Sequence, residues 1–193
     1  MAYTDLATVK SMLGKDSTDG RDTLISAAIT AAEKMIDERC GRSFGLDVSA
    51  SARVFPAHDR ILTVGDEQTI RVDDFVSVTT LETKSSFSGG WTAVTGYELR
   101  PENAAVTAHP YTEIAYRAGW LSDSMRVRVT ARWGWPSVPY GVAQAAALLA
   151  ARYYRRKDSP QGVLGSAEWG VARVSRFDPD VEGLIAGFIT IFA

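Results

Sequence analysis

A chain of 193 residues is long enough for one domain with a real core and too short for two large ones. At 46% hydrophobic and 23% charged residues, long disordered spans are not expected. A net charge of −2 argues against bulk nucleic-acid binding by phosphate neutralisation and leaves a local basic patch open.

The single cysteine, Cys40, rules out an intrachain disulfide framework and points to synthesis in a reducing compartment. Its expected role is that of a small buried hydrophobe. The opening Met1-Ala2-Tyr3-Thr4-Asp5 has no basic stretch followed by an apolar one, so no signal peptide is expected. No run of about 20 apolar residues occurs, so no spanning helix and no membrane partner are expected.

Thr4 or Asp5 reads as the cap of a short first helix. Leu6, Val9, Met12 and Leu13 recur at helical spacing before Gly14. After a polar loop, a second helix is predicted from about Thr23 to Cys40. Ile25, Ala28, Ile29, Ala32 and Ile36 form one face, and Ser26, Thr30, Glu33 and Asp37 the other. Gly41 is its stop.

From Arg42 to Arg132 short β-branched and aromatic segments alternate with Gly, Pro, Asn and Asp. The predicted strands are Ala52–Phe55, Ile61–Val64, Val76–Thr83, Thr92–Thr95, Tyr97–Arg100, Glu113–Tyr116 and Met125–Trp133. In the last, Val127, Val129 and Ala131 alternate with Arg126, Arg128, Thr130 and Arg132, the period of a half-buried strand. The links are too short for helical crossovers, so the pairing is read as antiparallel. Pro101–Pro110 reads as a loop or a weak strand.

A long helix is predicted from about Val138 to Lys157, entered through Pro136 and Pro139 and ended by Asp158-Ser159-Pro160. Between Val142 and Ala151, Gln144 is its only polar side chain, whereas a surface helix keeps a polar face. Such a helix must be covered on most sides, by its own domain or by other copies. It finishes in Arg152, Arg155, Arg156 and Lys157. That cluster either complements the helix's negative C-terminal end or meets an acidic partner or DNA phosphates. The neighbouring Tyr153 and Tyr154 are expected to pack outward against a neighbour. Gln161–Phe177 reads as an extended loop. Asp178-Pro179 then opens a last helix with Asp180 and Glu182 in its first turn, and the chain closes on Phe188, Ile189, Ile191 and Phe192.

The fold class is therefore α+β. The expectation is a helical bundle (short N-terminal helix, two long helices, C-terminal helix) with an antiparallel β layer inserted between the long helices. The chain is read as one domain in three segments: helices over 1–44, a β insertion over 45–133, and the long helix, loop and C-terminal docking segment over 134–193.

Nothing in the chain asks to be an active site. His58 and His109 have no partner at ligand spacing, so no metal is expected. The carboxylate pairs Asp73-Asp74 and Asp178/Asp180 read as a turn before a strand and as a helix cap rather than as acid–base machinery. Gly14-Lys15-Asp16-Ser17 has Val9 where a phosphate loop needs its first glycine, and it follows a helix rather than a strand. Gly165-Ser166-Ala167-Glu168-Trp169-Gly170 does not match the serine-hydrolase elbow. No catalytic residue, cofactor or enzyme activity is expected.

Three features in series resemble the adaptor (head–tail connector, head-completion) proteins of long-tailed bacteriophages. The first is a short helix and an Ala-rich helix ending in Cys40-Gly41-Arg42-Ser43-Phe44. The second is a strand leading into Trp133-Gly134-Trp135-Pro136 with Val138-Pro139. The third is a helix ending Ala151-Arg152-Tyr153-Tyr154-Arg155-Arg156-Lys157-Asp158-Ser159-Pro160, with Gly162-Val163 and Asp178-Pro179-Asp180-Val181 after it. The likeness covers roughly Tyr3–Phe44 and Arg126–Gly187. It implies a structural virion protein made in the bacterial cytoplasm and located at the head–tail junction. Such a protein forms a ring of about twelve copies in which each subunit uses two different surfaces. The ring would attach to the portal, extend the DNA channel with transient contact to genomic DNA, and receive a stopper or tail-completion protein. On that reading Val142, Ala143, Ala146, Ala147 and Ala150 pack between ring neighbours. Phe188, Ile189, Ile191 and Phe192 dock on the portal. Arg152, Arg155, Arg156 and Lys157 meet DNA or an acidic partner. The alternatives are a stopper or tail terminator, expected to be β-dominated, and a DNA-binding protein using the 152–157 cluster.

Overall fold

The computed structural model describes residues 2–14, 21–85, 89–117, 119–122, 125–156, 163–164, 172–173 and 178–190. The chain divides into two compact units, one over Ser43–Ser137 and one formed by Ala2–Arg42 with Val138–Ala193.

The first unit is a seven-stranded antiparallel sheet. Its strands are β1 (Ser51–Pro56), β2 (Ile61–Val64), β3 (Glu67–Lys84), β4 (Thr92–Ala93), β5 (Glu98–Arg100), β6 (Tyr111–Arg117) and β7 (Arg126–Trp133). Their order is β1-β7-β3-β6-β5, with β2 and β4 also pairing β3. Alternation in β7 dictates its two faces: Val127, Val129, Ala131 and Trp133 are buried, while Arg126 and Arg132 are exposed. β3 organises the sheet. It is 18 residues long, and its register shifts between Arg71 and Phe75, between Phe75 and Ser77, and between Val78 and Thr80. Such irregularities bend and twist a strand. The first half of β3 pairs β6 and the second half pairs β7, around a core that includes Phe55, Ile70, Phe75, Ile114 and Trp133.

These features correct the expected fold class. The chain is mostly sheet, not a helical bundle carrying an inserted β layer. The physical reason lies at residues 67–75. Their polar content (Glu67, Gln68, Thr69, Arg71, Asp73, Asp74) masks a strand whose Ile70, Val72 and Phe75 are buried. With that half of β3 restored, the sheet is continuous and has a core of its own. Asp73-Asp74 is accordingly not a turn before a strand but part of β3.

The second unit contains α1 (Leu6–Leu13), α2 (Asp22–Cys40), α3 (Tyr140–Arg156), a two-stranded pair β8 (Val163–Leu164) with β9 (Ala172–Arg173), and α4 (Pro179–Ile185), which runs into a 3-10 turn, Ala186–Phe188. Asp5 caps α1 by accepting from the Thr8 backbone N–H at 2.7 Å. The predicted α2 face of Ile25, Ala28, Ile29, Ala32 and Ile36 is buried as a stripe. Asp178 caps α4 with Pro179 in its first turn. Tyr3 ties the N-terminal segment to α2, its N–H donating to Glu33 Oε1 at 2.6 Å and its hydroxyl to Asp37 Oδ1.

Candidate functional site

Helix α3 packs against α1, α2 and α4. Val142, Ala146, Ala147 and Ala150 are buried, as are Ala145, Leu149, Ala151 and Tyr154. Between Gly141 and Tyr154 no α3 residue is fully exposed, and Ala143 is half-buried. The apolar circumference is therefore covered by the chain's own helices. Small residues make this close packing feasible: a Cβ on Gly141 would lie 2.9 Å from the Leu184 carbonyl oxygen. What α3 leaves outside is its entry, where Tyr140 is 82% exposed, and its basic end.

At that end the four predicted cations separate. Arg152 turns back into the helical unit and pairs with Asp178 at 3.3 Å. Arg155 and Arg156 are exposed, and Arg156 lies over the Tyr153 ring at 5.8 Å. Lys157 lies outside the described residues. The two tyrosines also separate: Tyr154 is buried, against the expectation for the pair, because an i+3/i+4 spacing from Ala150 and Ala151 carries it onto the covered face.

Beside this end runs a groove of about 250 Å³ between α2, α3 and α4. Ile36, Leu149, Val181 and Ile185 give it an apolar floor, and Arg39, Arg152, Arg156 and Asp178 stand on its walls. Arg39 pairs with Glu182 at 3.1 Å. Sequence reasoning did not place this groove. Its signal was present, since Leu149 and Arg152 are one turn apart on α3 and Val181 and Ile185 one turn apart on α4.

The C-terminal segment is tied to its own chain. Thr190 donates to the Cys40 carbonyl from its backbone N–H at 3.0 Å and from its hydroxyl at 2.7 Å, capping the end of α2. Of the predicted docking residues, Phe188 is half-buried and Ile189 is 37% exposed. Ile191 and Phe192 lie outside the described residues.

In the sheet unit, Trp133-Gly134-Trp135 forms a corner. The Trp133 indole donates to the Ser51 carbonyl at 2.8 Å, and its ring packs on Phe55 and Phe75. Gly134 has φ +107, and a Cβ there would sit 1.8 Å from the Gly45 carbonyl oxygen, so no other residue fits. Trp135 packs on Phe44 and His109 and donates to Asp74 Oδ2 at 2.8 Å. Asp73 pairs instead with Arg53 at 2.8 Å. The two adjacent carboxylates thus serve different partners, and both roles are structural.

His109 Nδ1 meets the Thr107 carbonyl at 2.8 Å, and exposed His58 sits beside Asp59 at 3.2 Å. Among the described residues no group of three or more His, Cys, Asp or Glu is placed to hold a metal ion. Nor is any helix there long and apolar enough to cross a membrane. Burial pushes the Cys40 thiol pKa up, which makes it a poorer nucleophile than a free thiol. The outer face of the sheet carries Arg128, which binds Glu82 through two bonds of 2.7 Å and stacks on Trp91 at 4.5 Å. That bidentate contact holds the Glu82 carboxyl below the usual range and raises Arg128.

No family model and no curated protein matches the chain. Solved structures do. A chain of the neck of an empty GTA particle, computed with C6 symmetry, superposes with a TM-score of 0.57 at 24% identity over 97% of this chain and 90% of its own length. A chain of the virion of the native gene transfer agent (GTA) particle gives 0.54 at 22% identity over the same shares. At these identities the likeness is one of fold.

Proposed function

We propose that the chain is a structural neck protein of a phage-like particle, one copy in a closed ring beneath the portal that joins head to tail and continues the DNA channel. The observation that carries this reading is the fold shared, over 97% of the chain, with a chain of a particle neck. The ordered sequence features quoted above support the adaptor class within that reading, and they imply a ring of about twelve copies. The role is mechanical: no catalytic group or cofactor enters it. Ile189, with Phe188, Ile191 and Phe192, is the portal-docking segment. At the entry of α3, Tyr140 and half-buried Ala143 are left to a ring neighbour, while Val142, Ala146, Ala147 and Ala150 hold the helix in shape. The basic cluster Arg152, Arg155, Arg156 and Lys157 serves an acidic protein partner or passing DNA, with Arg155 and Arg156 exposed for it.

A second reading, a stopper or tail terminator of the same neck, draws on the seven-stranded sheet, since those proteins are expected to be β-dominated. Mixing the chain with the portal of its particle separates the two. An adaptor is expected to close into a ring directly on the portal, seen as a mass step and as a ring in projection images. A chain that binds only after another neck protein is in place belongs to the second reading, and one that never enters particles sinks both. Salt-dependent binding of the isolated chain to duplex DNA would instead favour a DNA-binding protein.

A further inference from the structure

The β2–β3 hairpin presents an uncovered apolar surface. Leu62 is 58% and Val64 67% exposed. The register explains why. Ile61 stands opposite Ile70, which is fully buried, whereas Leu62 stands opposite Thr69 and Val64 opposite Glu67, on the other face. Leu62 and Val64 therefore point away from the core. The strands are joined by Gly65-Asp66, with Gly65 at φ +58 as a two-residue hairpin turn requires, and Asp66 is exposed at the tip. Among the described residues β2 pairs with β3 alone, so its other edge is open. Natural proteins protect an apolar open edge, and here neither a charge nor a proline within β2 does so.

The groove between α2, α3 and α4 has the opposite character. It is concave, its floor is aliphatic, and its walls carry Arg39 paired with Glu182, Arg152 paired with Asp178, and exposed Arg156 over the Tyr153 ring. A convex tip with two aliphatic side chains and an aspartate matches an aliphatic hollow with Arg156 exposed at its wall. We infer that the β2–β3 hairpin of one copy seats in the α2–α3–α4 groove of the next, with Leu62 and Val64 on the aliphatic floor and Asp66 towards Arg156. The two patches differ, so the contact is head-to-tail, and repeating it generates a ring when the rotation closes. This inference rests on the ring reading above and names its contact surfaces.

The test uses the full chain with the portal of its particle as template. Val64→Cys combined with Met35→Cys, oxidised during assembly, is expected to give a ladder of covalent multimers, with neither single variant doing so. Met35 lines the groove, and buried Cys40 is the only native thiol. Leu62→Asp with Val64→Asp should raise the concentration needed for assembly about a hundredfold. Asp66→Arg should raise it about fivefold, and Arg156→Asp in the same chain should restore it. Closed rings that form without a ladder and ignore the hairpin substitutions overturn this contact and leave the ring reading standing. A chain that remains monomeric with and without the portal overturns both.

Discussion

The sheet unit is held by large side chains with directed bonds. Trp133 and Trp135 each bury a ring and spend the indole N–H on one named acceptor, Ser51 O and Asp74 Oδ2. The helical unit around α3 is built from alanines that allow helices to approach closely, with Ala145, Ala146 and Ala150 fully enclosed. The first kind of interior is sensitive to loss of a particular group or backbone shape, and the second to any gain in volume. Four of the five tryptophans (Trp91, Trp120, Trp133 and Trp135) lie in the sheet unit, so tryptophan fluorescence reads that unit while helical circular dichroism reads the other.

The largest effect is expected from Gly134→Ala. The new methyl meets backbone at 1.8 Å in a conformation with φ +107, and neither can relax by a side-chain movement. A loss of about 4 kcal/mol or more is expected. The tryptophan signal should collapse at a temperature where much of the helical signal survives. If both signals fall together, the two interiors are not energetically distinct and the comparison breaks.

Ala146→Leu probes the other side. Ala146 is fully buried, so the added atoms must displace a neighbouring helix, at a cost of about 1–3 kcal/mol. Ala143→Leu, at a half-buried position on the same helix, should cost clearly less. Helical circular dichroism during thermal unfolding separates the two variants. Equal costs would mean that α3 is not enclosed in the way its burial pattern indicates. Smaller still is Thr190→Val, which deletes the hydroxyl bond to the Cys40 carbonyl and keeps the backbone one, a loss of about 1 kcal/mol. Ile189→Asp, next to it and 37% exposed, is expected to leave stability nearly unchanged and to weaken attachment to the portal.

The same contrast explains what could be read from the sequence. The α2 stripe was legible because its period is uninterrupted and Gly41 stands at its C-terminal end. β7 was legible because four apolar residues alternate with four polar ones. The first half of β3 was not, since it holds exposed Asp73 and buried Asp74, whose partners Arg53 and Trp135 are 20 and 61 residues away in the chain. No local pattern announces a strand whose polar groups are satisfied at that distance. For α3 the sequence posed the right question, what covers an apolar helix all round. The answer required α1, α2 and α4 to be seen together. The hairpin was half legible: Ile61–Val64 reads as a strand, and Gly65-Asp66 behind it is a two-residue turn signal. Its exposure depends on which face Ile70 takes, and that is a register.

The finest test of the comparison is its pH dependence, because Glu82 of the sheet unit and Asp37 of the helical unit are shifted in opposite directions, while Asp5 of the helical unit is lowered by the Thr8 backbone N–H it accepts. In the sheet unit Arg128 depresses Glu82, so the stability that this pair contributes is present above the ordinary glutamate range and is lost as pH falls through the lowered value. In the helical unit burial raises Asp37, against the smaller downward pull of the Tyr3 hydroxyl. Its contribution is present below the ordinary aspartate range and is lost as pH rises through the raised value. Acidification from neutrality through the carboxylate range should therefore weaken the tryptophan-detected transition through Glu82. Over the same range Asp37 should strengthen the helix-detected one and Asp5 should weaken it, so the difference between wild type and Asp37→Asn isolates the Asp37 contribution. Glu82→Gln should flatten the first slope and leave the second, and Asp37→Asn should change the second and leave the first. The measurement is paired melts of wild type and both variants at closely spaced pH values. Slopes of the same sign at both probes, unaltered by the two substitutions, would mean that neither carboxyl distinguishes the units.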